Sequence, residues 1–186
     1  FRELSAFRKL PEYGKWTFPP APHTAHIRCF ALDARFPDEI IVGIEEGGIA
    51  RSRDRGETWE DISGPQSAIA YPEYNDPAGI KPYQLGQHED GRVYRDVHWV
   101  LRHPRSVNRL YATTGIGTYR SVDDGKSWIK AEYPMGRAYA IPIAIHRDAP
   151  DRIFLGAAEN APTSWLGHRT VRAGPWSELG EAASAL

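Results

Sequence analysis

Short runs of alternating apolar and polar residues recur in the same order along this chain. The period of two that marks half-buried strands predicts strands over 25–32, 40–44 and 49–52, with a fourth beginning at Trp59. The succession returns over 96–102, 110–114 and 118–121, with a fourth strand from Trp128, and starts again over 139–145 and 153–157. Turn formers separate the runs. The segments 33–38, 103–106 and 147–150 carry Asp or Pro, residues that bond the local backbone or preset φ. Gly47, Gly48, Gly115 and Gly117 mark the next turns. The stretch 176–186 is the one that reads as helical.

One eight-residue pattern fixes the register of the repeat. Ser52-Arg53-Asp54-Arg55-Gly56-Glu57-Thr58-Trp59 and Ser121-Val122-Asp123-Asp124-Gly125-Lys126-Ser127-Trp128 share Ser-x-Asp-x-Gly-x-Thr/Ser-Trp. Most of these residue types have a structural role. Asp54 and Asp123 accept bonds from the backbone of the turn they head. Gly56 and Gly125 take φ > 0. Thr58 and Ser127 add a local hydroxyl. Trp59 and Trp128 bury a large ring between neighbouring sheets. The pattern is therefore a turn builder and carries no chemistry of its own.

Units of roughly 40–50 residues with four short strands have the size of a propeller blade. The expected architecture is all-β, a β-propeller of four-stranded antiparallel blades over 23–62, 96–133 and 138–180, with an insertion at 63–95. The third unit lacks the eight-residue turn. Open propeller edges need cover, so the expectation is a partial propeller of about three blades within 1–186. A longer chain, a second copy completing the ring, or cover from 1–22 and 160–186 would each supply it; the first two are favoured.

The two turns resemble Asp-box repeats, also called bacterial neuraminidase repeats, of sialidase-like β-propellers. His26-Ile27-Arg28, Val42 to Gly48, Asp96-Val97-His98 and Tyr111 to Gly115 are also similar to microbial repeat proteins of the WD40/YVTN/BNR-like group. The resemblance spans about 23–160. One fold hosts many activities. It implies that substrate sites lie opposite the Asp-box turns, near the central channel, where strand two meets strand three and one blade leads to the next.

Composition narrows the classes. The chain has 186 residues, 41% hydrophobic and 25% charged, with a net charge of −1. That balance suits a globular domain and creates no field that recruits nucleic acid or an acidic membrane, so neither is expected as a partner. No transmembrane run and no signal segment are read from it, and a soluble protein of unassigned compartment is expected. Cys29 is the single cysteine, which excludes an internal disulfide; on a predicted strand it reads as a small core residue.

The candidate chemistry lies on the channel side. His26, Arg28, Arg95, Asp96, His98, Arg137 and Tyr139 stand at the starts of the first strands. The insertion adds Tyr71, Tyr74, Asn75, Asp76, Tyr83 and His88, flat apolar faces with hydrogen-bonding groups that suit a sugar. His26, Arg28, Arg95, His98, Arg137 and His88 are the expected ligand-binding set. A small polar or carbohydrate-like ligand, or a protein partner including a second copy, is the leading function. The alternative is a glycoside hydrolase at the channel mouth. Resemblance to sialidases would then make Arg28, Arg95 and Arg137 a carboxylate clamp, Tyr139 the nucleophile, Glu46 its base and Asp96 the general acid. A carboxylate-pair enzyme would draw on Glu45, Glu46, Asp96 and Glu159. Pairing of these Arg and acidic residues as structural salt bridges is the competing expectation. The histidines lack metal-ligand spacing, and neither a metal nor a cofactor is expected.

Overall fold

The computed structural model describes residues 3–16, 24–65, 91–131, 137, 139–159 and 177–178. Three antiparallel sheets follow one another along the chain. The first has the order β1 (His26–Ala31), β2 (Ile40–Glu45), β3 (Gly48–Ser52) and β4 (Glu60–Asp61). The second repeats it with β5 (Val97–Arg102), β6 (Leu110–Thr114), β7 (Gly117–Ser121) and β8 (Ile129–Ala131). The third holds β9 (Tyr139–Ile145), β10 (Ile153–Ala158) and β11 (Ser177–Glu178). Ser177–Glu178 is therefore strand, paired with Phe154 and Leu155, where a helix is expected from the sequence; pairing on the open side of β10 overrides local propensity.

The sheets stack as propeller blades do. The strands β1, β5 and β9 lie side by side as the first strand of each sheet. Alternation along β2 and β6 supplies two apolar faces. Ile41 of β2 joins Val97, Val100, Leu110, Ala112, Tyr119 and Trp128 in the core between the first two sheets. Tyr111, next to Leu110, points the other way, into the core it shares with Ala140, Ile143, Ile153 and Leu155. Each fully buried aliphatic side chain contributes about 1.5–3 kcal/mol. Gly43 is required at the first boundary, because a Cβ there would lie 2.6 Å from Cys29 Sγ and 2.8 Å from Val97 Cγ1.

The outer face of the first sheet has its own cover. Two 3-10 turns, Ser5–Lys9 and Tyr13–Lys15, bring Phe7, Leu10 and Trp16 onto Val42, Ile44, Ala50 and Trp59. The Phe7 ring meets the Trp59 ring edge-on at 4.9 Å between centroids. Residues from the N-terminal segment thus cover this face. Among the described residues no helix is long and apolar enough to cross a membrane.

The two eight-residue turns form the same bonds. Ser52 Oγ accepts from Gly56 N at 2.7 Å and donates to Asp54 Oδ1 at 2.8 Å. Asp54 then accepts from Thr58 N at 2.8 Å and Thr58 Oγ1 at 2.6 Å. Ser121, Gly125, Asp123 and Ser127 reproduce this at 2.9, 2.8, 2.9 and 2.6 Å. Gly56 and Gly125 have φ of 90° and 87°. Arg55 and Asp124 just before them are also left-handed, at 59° and 63°. The leading serine, whose role residue type alone does not reveal, satisfies the glycine amide with its oxygen.

The tryptophans diverge. Trp128 is buried, and its indole donates across the boundary to Ile62 O at 2.8 Å. Trp59 is half-buried and donates within its own turn to Gly56 O at 3.1 Å. It packs on the N-terminal turns rather than between two sheets. The two ends of the insertion meet beside Trp128, where Val93 N donates to Ser63 O at 2.9 Å and Trp128 N donates to Gly91 O at 2.7 Å. Residues 66–90, including His88 and the insertion tyrosines, lie outside the described residues.

Candidate functional site

The ends of the sheets opposite the eight-residue turns carry the charged candidates. The β1–β2 ladder pairs His26 with Glu45. Glu45 is the last residue of β2, so it keeps the inward register of a strand residue. Glu46 follows in a tight turn with φ of 59°.

Bulges then re-aim two first-strand residues, as bulges beside functional sites commonly do. Pairing skips Arg28 between Ile27 and Cys29 in β1, and skips His98 between Val97 and Trp99 in β5. The two are equivalent positions of successive sheets. His98 is buried by this turn of the backbone, and its Nδ1 lies 2.6 Å from Ala140 O in β9.

One atom each from Glu45, Asp96 and His98 lies within 4.8 Å of the other two, and all three residues are buried. His98 Nε2 is 3.3 Å from Asp96 Oδ2. Glu45 Oε2 is 2.6 Å from His26 Nε2 and 3.5 Å from Arg28 Nη1. Glu45 Oε1, Asp96 Oδ1 and His98 Nε2 make no hydrogen bond among the described residues. Tyr139 closes the group, with its ring centroid 4.8 Å from that of His98.

The local charges set the proton affinities. Burial pushes the Glu45 carboxyl above its ordinary range, and Asp96 adds to this, while Arg28 and His26 oppose it. Burial lowers the affinity of His98, but the Asp96 carboxylate, with Oδ2 3.3 Å from Nε2, outweighs it and leaves the imidazole above its usual value. Burial, then Asp96, push the Tyr139 phenol up to about 12. A phenol so hard to ionise is a poor nucleophile until a base takes its proton.

The remaining expected site residues are distributed differently. Glu46 is held by Arg95, with Nε 2.9 Å from Oε2 and Nη2 donating to Glu46 O at 2.9 Å. This is the pairing that the structural expectation describes. Of the charged groups acting on Tyr139, Asp96 is the strongest, followed by Arg28 and Glu45. Arg28 faces Glu45 and Arg95 faces Glu46, which leaves these two guanidiniums on separate carboxylates rather than in one clamp. Arg137 is half-buried just before β9. Glu159 is exposed just after β10.

In the sequence Glu45 is one of four candidate carboxylates, with no feature that sets it apart. The pairing of His26 with Glu45 is the signal that would have singled it out. The convergence of Glu45, Asp96 and His98 crosses a sheet boundary, so no local ligand spacing announces it.

These features define a stack of β-propeller blades with a buried polar centre at the first-strand ends. No family model matches the chain. The oligoxyloglucan-reducing end-specific xyloglucanase of Emericella nidulans is 29% identical over 93 residues, 49% of this chain and 9% of that protein. The solved GH74 xyloglucanase from Xanthomonas campestris matches with a TM-score of 0.51 at 21% identity, over 81% of this chain and 22% of that one. A GH74 enzyme of Niastella koreensis matches with a TM-score of 0.52 at 13% identity, over 80% of this chain and 20% of that one. The solved structures share the fold, and the chain spans about a tenth of the length of the curated relative.

Proposed function

We propose that the chain is part of a carbohydrate-active propeller of the glycoside hydrolase type, built on Asp-box repeats, that handles a branched glucan resembling xyloglucan. The stretch of 93 residues that is 29% identical to a xyloglucanase carries this reading. The turn bonds of Ser52, Asp54 and Thr58, and of their second copies, support the repeat type.

The glycan would meet the first-strand ends, where His26 and Arg28 keep 48% and 33% of their side chains open. Those groups can bond sugar hydroxyls. Glycosidase carboxylates stand roughly 5–9.5 Å apart across the bond they cleave. One oxygen of Glu45 and one of Asp96 lie within 4.8 Å of each other, near the short end of that range. They form one charged centre at the first-strand ends, and this chain supplies part of the site.

The test is a glycan panel, with xyloglucan oligosaccharides, unbranched glucans and sialosides. Binding or release of reducing ends is expected for xyloglucan oligosaccharides and not for sialosides, with Arg28→Ala weakening it about tenfold. No interaction with any glucan, or a preference for sialosides, would overturn the proposal.

A further inference from the structure

The buried centre between the first two sheets combines three features that rarely coincide without a ligand. His98 Nδ1 faces the carbonyl of Ala140 at 2.6 Å. A carbonyl can only accept, so Nδ1 carries the proton. In the neutral ring, Nε2 then presents a lone pair, and it points at Asp96 Oδ2 3.3 Å away. Lone pair facing carboxylate is repulsive unless a proton or a metal cation lies between them, and no bond of hydrogen-bonding geometry joins Nε2 to Asp96 among the described residues. The side chains of Glu45 and His98 are both 0% exposed, and Glu45 Oε1, Asp96 Oδ1 and His98 Nε2 lack hydrogen-bond partners among the described residues. Buried polar atoms left so are costly.

We propose that Glu45, Asp96 and His98 form a site for one divalent cation of the zinc or manganese type. The donor set is one imidazole and two carboxylates, which suits these ions better than the all-oxygen cages of calcium or magnesium. The bond from His98 Nδ1 to a backbone carbonyl is the support that metal-bound imidazoles usually have; it fixes the tautomer and aims the other nitrogen. The bulge at His98 turns it inward. Bonds of about 2.0–2.2 Å hold ligands roughly 3.3–3.6 Å apart, so the widest pair within the 4.8 Å cluster closes by up to about 1.5 Å on binding.

Neighbouring charges leave room for the ion. Arg28 and His26 both approach Oε2 of Glu45, which leaves Oε1 for the cation. Arg95 is committed to Glu46. Asp96 keeps 12% of its side chain open, which gives an entry path and an open coordination position toward the first-strand ends. The site shares these residues with the charged centre described above but does not depend on a glycan being its ligand.

The experiment is calorimetric titration of chelator-treated chain with zinc chloride and with manganese chloride, without glycan. One equivalent of either ion is expected to bind and to raise the melting temperature. Asp96→Asn and Glu45→Gln are each expected to weaken binding at least about tenfold, and His146→Ala, on an exposed turn, is expected to leave it unchanged. Absence of saturable one-to-one binding of both ions, or binding indifferent to both carboxylate variants, would overturn the proposal. If either variant fails to fold, cobalt(II) bound to the unaltered chain decides: visible bands of a nitrogen–oxygen site support the proposal, and their absence overturns it. Cation binding without glycan binding would sink the functional reading alone, and glycan binding without cation binding would sink this one alone.

Discussion

At the eight-residue-turn end of the boundary between the first two sheets, acidic groups meet guanidiniums. Arg51 reaches Asp124 at 2.6 Å and Glu60 at 2.8 Å. Arg102 reaches Glu39 at 2.6 Å and Asp124 at 2.9 Å. At the first-strand end of the same boundary, Glu45 and Asp96 crowd together, with oxygens that make no hydrogen bond among the described residues. One end ties the blades; the other holds charge in readiness. Proteins tolerate a frustrated buried centre where function needs it and satisfy their polar groups elsewhere. The repeated turn that draws the eye in the sequence therefore belongs to the fold, and the proposed site lies at the opposite end.

The largest expected effect breaks the turn end. Trp128→Ala removes a buried ring and its bond to Ile62 O, and should cost about 3–5 kcal/mol in urea unfolding. Trp59→Ala should cost clearly less, because that ring is half-buried and bonds only within its turn. Equal losses would mean that the two tryptophans do the same work, against the packing described above.

Asp123→Ala comes next. It strips the acceptor from Ser121 Oγ, Ser127 N and Ser127 Oγ. A loss of about 2 kcal/mol is expected by the same unfolding measurement, without change in cation binding. Loss of cation binding in this variant would break the separation of the two ends.

The pH dependence of Asp124 gives a smaller effect. Burial raises its affinity for protons, but the bond to Arg102 and the charge of Arg51 prevail and hold it below the usual carboxylate range. A depressed carboxylate stabilises the fold fully above its unfolded pKa of about 3.9, and this is lost as pH falls through the folded value. Between neutral pH and pH 3 the unaltered chain should lose more stability than Asp124→Asn. Parallel losses would show that the Arg51–Asp124–Arg102 bridge does not tie the blades.

The strands were legible because alternation of apolar residues survives in each sheet: 110–114 and 139–145 match β6 and β9 at both ends. The eight-residue turn was legible because its bonds are local. The first-strand end was less so. Asp96, His98 and Tyr139 could be placed there from strand starts. The inward side chain of Glu45 depends on a single further residue of pairing with β1, and the aim of His98 depends on a bulge. Neither is encoded in residue spacing. Ser177–Glu178 became strand through pairing with β10, a partner distant in sequence.

The two ends of this one boundary have opposite energetic character. Urea unfolding of Glu45→Gln and Asp124→Asn, side by side at neutral pH with chelator present, tests this most directly. Glu45→Gln keeps the shape and removes a buried charge crowded by Asp96, and its partners His26 and Arg28 are open enough for water to solvate them, so its midpoint should equal or exceed that of the unaltered chain. Asp124→Asn should lower the midpoint, because it leaves Arg51 and Arg102 short of their partner. A drop for Glu45→Gln as large as that for Asp124→Asn would contradict the opposition of the two ends.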